Sequence, residues 1–551
     1  MAMRVVTGRY VVRIVALVGV LLASAVLPGG PARATSVRGH AAVKTGGTVS
    51  ITYGPHGSFT RDFNPLAGNP ADGTTAFIYE PLLMFNQLSG KVVPWLARGY
   101  KWSAGNRTLT FLLRPGVKWN DGKPFTSADV KYSLTLAKNP AIPCGDCWKV
   151  ISTIATPNTT TVVIHFKTVN TSMLYYLGQF YQVPQHVFGK VSDPVKFTNP
   201  NPVGTGPFKL GSFTPQTYTF TKNKYFWQKG KPYVSSLQFP AFTGNDSAQL
   251  AIVKGELDWA GVLIQNAQSV YASKSADNHF WYAGVGGMVG LCLNNVQAPF
   301  NNVHVRRAVS YALDRQIISK IAENSYAPPA NQAFVQPQFI KQWANTSAVK
   351  SFPTSADTSK AKAELSKAGK VNYSASLKLN VVNGFSDWQT GAQIMQTELK
   401  AVGFNVTVQA LDYAAYFADL QNGKYDMSFC GTSAGPSPFY LFRDAFTSKV
   451  TAPVGQPAAS NFTRYKNSKL DSLLDSYTRT TSVSKQVSIM KQAEAIVAAD
   501  VPMVPAFTGA YWDDYSTKRF TGWPSSSNPY NFGAPYQNPF NEDVILHVHL
   551  K

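Results

Sequence analysis

Apolar and polar residues alternate in several short runs: Thr48-Val-Ser-Ile-Thr-Tyr53, Thr108 to Leu113, Thr217-Tyr-Thr-Phe-Thr221, Leu377-Lys-Leu-Asn-Val-Val382 and Phe404-Asn-Val-Thr-Val-Gln-Ala-Leu411. Side chains two apart share one face of a strand, so these runs predict strands. A helical period replaces the alternation between 303 and 322. There Val305, Ala308, Val309, Ala312, Leu313, Ile317 and Ile321 fall on one face, with Arg306, Arg307, Asp314 and Arg315 largely elsewhere. One amphipathic helix is the expectation. Asp387 to Val402 predicts another, closed by Gly403, and a short helix ends near Gly423 before the strand Tyr425-Asp-Met-Ser-Phe-Cys430. Strand, helix, strand, helix, strand at this spacing implies right-handed crossovers on a largely parallel sheet, so this region is read as α/β.

Local punctuation sharpens the picture. Asn120-Asp121-Gly122 supplies a tight reversal, and Thr126 followed three residues later by Asp129 is a helix N-cap with an acid in the first turn. Asn199-Pro-Asn-Pro-Val-Gly-Thr-Gly-Pro-Phe208 marks a boundary. It lacks the Lys-Ser/Thr of a phosphate loop, and Pro207 interrupts any glycine-led helix.

The stretch Thr108-Leu-Thr-Phe-Leu-Leu-Arg-Pro-Gly-Val-Lys-Trp-Asn-Asp-Gly-Lys-Pro-Phe-Thr-Ser-Ala-Asp-Val-Lys131 closely resembles the signature of the extracytoplasmic solute-binding proteins of family 5. That family is the oligopeptide, dipeptide and nickel class that delivers ligands to ABC importers. Further matches arrive in the family's order: Asn64-Pro-Leu66, Ile78-Tyr-Glu-Pro-Leu-Leu83 as a helix, Val93 to Trp102, Gly204-Thr-Gly-Pro207, Gly255-Glu-Leu-Asp258, Val305-Arg-Arg-Ala308 with Ala312-Leu-Asp-Arg315, and Ala493 to Pro505. The resemblance implies a periplasmic-binding-protein-like two-lobed α/β fold of type II, in its large three-subdomain variety. Lobe I would take 46–75, 203–290 and 506–551, an inserted subdomain 76–202, and lobe II 291–505. Strands near 288–293 and 502–508 would serve as hinges beside an interlobe cleft. An ABC permease and ATPase are the implied partners, with no chemistry done on the solute.

Bulk properties then limit the alternatives. Arg4, Arg9 and Arg13, the apolar run Ile14 to Leu27 and Ala32-Arg-Ala34 have the layout of a secretory signal peptide over residues 1–34. No cysteine follows the run, so export without a lipoprotein anchor is expected, to the cell envelope or beyond. The formal charge is +22, and +18 once the four arginines of that leader are set aside. Export and the scatter of Lys and Arg argue for a solvated basic surface on a monomer rather than a nucleic-acid partner. Cys144-Gly-Asp-Cys147 is read as a small local disulfide; Cys292 and Cys430, on two apolar strands, are either buried thiols or a pair.

Gly431-Thr-Ser-Ala-Gly435 matches the nucleophile elbow of α/β-hydrolases and is trailed by Asp444, Asp471, Asp475 and His547, so a secreted hydrolase with Ser433 as nucleophile is the alternative. Pro436 and Pro438 stand where the elbow's helix should run. As a binding loop the segment means more. In peptide-binding relatives an aspartate for the ligand's α-amino group falls near Gly435, yet 431–438 holds no acid. Gly435-Pro-Ser-Pro-Phe-Tyr440 looks like the neutral loop of members that bind cello-type oligosaccharides. A peptide by family default, or a neutral oligosaccharide, is thus the expected cargo. Candidate contacts are the rings of Tyr53, Phe63, Trp281, Trp388, Tyr440 and Trp512, with Ser433 and Gly435. His547 and His549 alternate on a terminal strand, too little for a metal site; no cofactor or metal is expected.

Overall fold

The computed structural model describes residues 43–551, except 140, 143, 145, 146 and 370–372; the leader lies outside them. Among the described residues no helix is long and apolar enough to cross a membrane. Two large sheets organise the chain. The first has seven strands, in the order Asn278–Phe280, Asp514–Ser516, Trp259–Ala260, Thr48–Thr52, Ser236–Pro240, Thr217–Lys222 and Phe208–Thr214. Thr48–Thr52 pairs parallel with both its neighbours. Its Val49 and Ile51 are fully buried beside Leu237, Phe239 and Trp259, the burial that the alternation at 48–53 anticipates.

The second sheet runs Phe404–Leu411, Tyr373–Val382, Met427–Gly431, Met288–Leu293 and Met503–Thr508. The first three strands are parallel, joined through helices Ser386–Ala401 and Tyr413–Asn422. Met288–Leu293 runs antiparallel to both its neighbours, so Met503–Thr508 points the same way as the first three; the expected parallel run holds, with one reversed strand inserted in the sheet. Met288–Leu293 and Met503–Thr508 enter this sheet from the first one, through the segments 281–287 and 509–513. The Cys292–Cys430 pair is a disulfide across neighbouring strands, and Cys144–Cys147 closes a loop.

A four-stranded antiparallel sheet, Ala97–Ser103, Thr108–Leu113, Thr161–Phe166 and Ile151–Asn158, carries the signature stretch. Gly122 takes φ of 91° in the reversal, and Thr126 and Asp129 form a full capping box on helix Ser127–Leu136. The Gly-Thr-Gly-Pro landmark has a packing role: a Cβ on Gly204 would collide with the carbonyl oxygen of Ile78, and one on Gly206 with that of Phe77.

Two helix expectations fail. Residues 303–322 form two helices, Val303–Ala312 and Arg315–Ala322, because Asp314 turns its carboxylate onto the amides of Gln316 and Ile317 and starts the chain afresh. The restart shifts the phase: Ile318 and Ala322 are buried, whereas Ile317 and Ile321 are 44% and 54% exposed. Ile78 to Leu83 is not a helix either; only a turn at Thr74–Ile78 is wound, and Leu83 opens the strand Leu83–Phe85. The arginine pair is structural. Arg306 donates to the carbonyls of Asp500, Val501 and Phe300 and Arg307 to that of Ala499, sealing the end of helix Val483–Asp500.

Candidate functional site

The ends of both sheets face one cavity of about 570 Å³. The first sheet's side contributes Tyr53, His56, Asp72, Asn245 and Leu263. The second contributes Phe385, Asp387, Trp388, Tyr413 and Tyr416, and the crossing segment supplies Trp512. A cleft of this size with aromatic walls and a few converging polar groups is the usual form of a small-ligand site. Trp388 meets Phe429 at 5.1 Å and Phe385 at 5.7 Å, and Trp512 stands edge-on to Tyr282 at 4.9 Å. These neighbours hold the indoles in place, which lowers the entropic cost of using them as platforms.

Among the described lining residues there is no lysine or arginine, although the chain carries 51 of them. Three carboxylic acids are present: Asp72, Glu323 and Asp387. Asp72 meets the Nδ1 of His56 at 3.3 Å. Burial opposes charge on that imidazole, but Asp72 beside it prevails, and the His56 pKa is raised. Asp387 sits in the first turn of helix Ser386–Ala401, where it accepts a hydrogen bond from Asn245 Nδ2 at 3.1 Å. Burial pushes its pKa up to about 6 against that bond and backbone amide donors. Glu323 caps the C-terminal end of helix Arg315–Ala322. It is 1% exposed, and neither carboxyl oxygen has a hydrogen-bond partner. Burial, reinforced by Asp387, pushes its pKa well up.

Of the residues singled out from the sequence, the cavity wall includes Tyr53, Trp388 and Trp512. Phe63 lies beyond the strand, in the irregular segment after Thr52, and is fully buried in the first core against Phe213, Tyr218 and Phe220. Trp281 lies off the wall, 6.4 Å from Phe532. Gly435 is packed under Tyr440, whose ring meets Tyr175 at 4.3 Å, so both belong to a contact between the halves of the molecule. Ser433 lines a smaller neutral cavity of about 240 Å³, with Gln179 and Gln537, that shares Asn538 with the main one.

The elbow's helix does exist: Pro438–Phe446 begins with Pro438 at its first turn, where the missing N–H costs nothing. The relay does not assemble, however. Ser433 Oγ donates to Asp444 at 3.0 Å, His547 Nδ1 faces the Asp543 carbonyl at 2.7 Å with its ring against Tyr530, and Asp471 accepts from Thr447 and Ser448. Asp475 pairs with Lys449. His547 also precedes the terminal strand, which is only His549–Leu550. Among the described residues no group of three or more His, Cys, Asp or Glu could hold a metal ion.

The halves touch beside the cavity as well. Asn245 N donates to the Gly384 carbonyl at 2.9 Å, Gln265 Nε2 to that of Ala322 at 3.1 Å, and Thr171 N to that of Thr478 at 2.9 Å. Tyr176 donates to Asp444 at 3.3 Å under the Arg443 guanidinium, 4.1 Å from its ring.

His56, Asp72, Glu323 and Asp387 were missed from the sequence. One signal was available for Glu323: an acid at a helix C-terminus opposes the helix dipole, a local cost without local benefit.

Residues 91–453 match the family model described as bacterial extracellular solute-binding proteins, family 5 Middle. The chain is 26% identical over 509 residues to a putative ABC transporter peptide-binding protein of Brucella ovis, covering 89% of this chain and 92% of that one. It is 27% identical over 429 residues to the glutathione-binding protein GsiB of Salmonella paratyphi A, covering 75% and 80%. A mannohexaose-bound periplasmic oligopeptide-binding protein of Thermotoga maritima superposes with a TM-score of 0.83 at 24% identity, over 92% of this chain and 98% of that one. It shares the two-lobed α/β fold.

Proposed function

The chain belongs to the bacterial extracellular solute-binding proteins of family 5, and from that premise we propose that it is the exported receptor of an ABC importer. It closes on a small peptide between its lobes and hands it, unaltered, to a permease and ATPase. The observation that carries this reading is the cavity itself, walled by both halves of the molecule and bounded by contacts between them. A guest touching both walls favours the closed form by its differential contacts; the strands 288–293 and 503–508, expected as hinges, lie wholly in the second sheet, so the hinge is assigned to the segments 281–287 and 509–513 that lead to them. The lobes are then 46–75 with 203–290 and 506–551, carrying the insertion 76–202, and 291–505. The basic leader supports export, and the protein acts as a monomer.

Peptide is favoured over neutral oligosaccharide on physical grounds. A sugar would stack on Trp388 and Trp512 equally well but would leave Glu323 and Asp387 buried without a charged partner. The relatives named as peptide- and glutathione-binding proteins agree with that choice. Calorimetry and thermal shift of the purified protein against short peptides and against manno- and cello-oligosaccharides test it. Peptides are expected to bind and to raise the Tm without being cleaved. Binding of oligosaccharides alone, or turnover of any probe, would refute the proposal.

A further inference from the structure

Glu323 poses a definite problem. A carboxyl group wholly withdrawn from water with both oxygens unpartnered is costly in any protonation state, and such groups are rare outside functional sites. This one sits on the cavity wall rather than in the interior of a core. Asp387, on the neighbouring helix, faces the same space; a Cβ on Gly391, one turn further along that helix, would lie 3.7 Å from the Cβ of Ala322, so the two helices that carry the acids are packed together. Asp387 has a neutral donor in Asn245, whereas Asp72, across the cavity, already has the imidazole of His56. Among the described lining residues, two acids thus have no lysine or arginine to meet them, in a chain whose net charge is strongly positive.

We propose that Glu323 and Asp387 together form the seat of a cationic N–H group of the ligand, an ammonium or guanidinium. The seat rests on the peptide reading above and specifies the ligand's chemistry. It takes the place of an acid in the loop after Met427–Gly431, where 431–438 has none. A guest ammonium has three N–H donors and a guanidinium five, enough to satisfy the Glu323 oxygens and the free acceptor sites of Asp387 at once. Aromatic faces at Trp388 and Trp512 add attraction for a cation lying over them. Because Asn245 comes from the first half of the molecule and Asp387 from the second, loading the seat also fixes a contact between the halves.

The other titratable groups on the cavity wall are the phenols of Tyr53, Tyr413, Tyr416 and Tyr536 and, across it, Asp72 with His56. Tyr536 lines the cavity and feels both Asp387 and Asp514, and Tyr282 bonds Asp514 at 2.5 Å. Burial favours the protonated form of both acids, so seating a cation, which favours the carboxylates, should release protons.

The test is calorimetry on the full chain with four probes: trialanine, N-acetyl-trialanine amide, N-acetyl-Ala-Lys-Ala amide and mannotriose. Trialanine and the lysine peptide are expected to bind about 30-fold or more tightly than the capped neutral peptide, and to release protons, read from the buffer dependence of the heat. The probe that binds better of the two tells a terminal ammonium from a side-chain one. E323Q and D387N should each lower affinity for the cationic probes by about tenfold or more, and by much less for the capped peptide. The Tm of each variant at pH 5 reports folding, and E323D should recover part of the loss. Equal binding of capped and free peptides would overturn the seat while leaving a peptide receptor. Binding of mannotriose with no peptide binding at all would overturn both.

Discussion

The two walls of the cavity solve the problem of a buried carboxylate differently. On the first wall Asp72 has His56 3.3 Å away, so the charge is met within the protein. On the second, Asp387 has only neutral amide donors and Glu323 has no donor at all. An acid satisfied by its own chain holds structure together, whereas one left open beside an empty space holds a place for something else. The difference assigns shape and closure to the first wall and the ligand's charge to the second.

The largest effect expected from disturbing this contrast comes from the scaffold behind the second wall. Cys292–Cys430 spans 138 residues and ties the sheet that carries Asp387 and Trp388, whereas Cys144–Cys147 spans three. Replacing Cys292 and Cys430 with alanine should cost about 2–4 kcal/mol in denaturant unfolding, and replacing Cys144 and Cys147 much less, since stabilisation grows with the loop closed. Equal costs would mean that the cross-strand bridge does not underpin the site. Next, Trp388→Ala should weaken ligand binding by about 2 kcal/mol or more, roughly 30-fold, as expected for a desolvated aromatic anchor. Tyr53→Phe should change it little, because the Tyr53 hydroxyl is already engaged by Asn541 at 2.6 Å.

The pH dependence of stability separates the walls by window. Asp387, raised to about 6, favours the protonated native state. Its contribution is present at acidic pH, below the ordinary carboxyl value, and is lost as pH rises through about 6. Asp387→Asn should remove that part of the decline in Tm in ligand-free protein. His56, also raised, contributes stability that is full below the ordinary imidazole value and is lost above it, as pH rises through its folded value. His56→Gln should therefore flatten the curve at higher pH and leave the acidic limb alone. A smaller effect than that of Trp388→Ala is expected at Asn245→Ala, which removes the side-chain hydrogen bonds to Ser386 and Asp387 between the halves: about 1 kcal/mol in affinity, with little change in the unliganded Tm.

Much of the fold was legible because its signals are local. The Thr126–Asp129 capping box, the Gly122 reversal and the alternation at 48–53 each depend on residues a few positions apart. The helix break at Asp314 was missed because apolar residues keep a plausible period through it, and only the cap shows the restart. Rings were a weaker guide to the site. Tyr53, Trp388 and Trp512 line the cavity, but Phe63 and Trp281 do not, since aromatic residues fill cores as readily as clefts. The acids were invisible for a different reason. The segment 431–438 holds no acid to meet an amine, and most of it lies off the main cavity, which carboxyls reach instead from Glu323 and Asp387, far away in the chain.

The order of short motifs alone determined the family, the α/β character and the reading of a solute receptor, because each motif encodes a turn, a cap or a close backbone approach that operates over a few residues. Tertiary structure alone decided which charges meet. Asp72 and His56 pair, Glu323 stays open, and Ser433 bonds Asp444 rather than a histidine. Electrostatic fate depends on what lies within a few ångströms and on how much water is excluded, and neither is a function of separation along the chain.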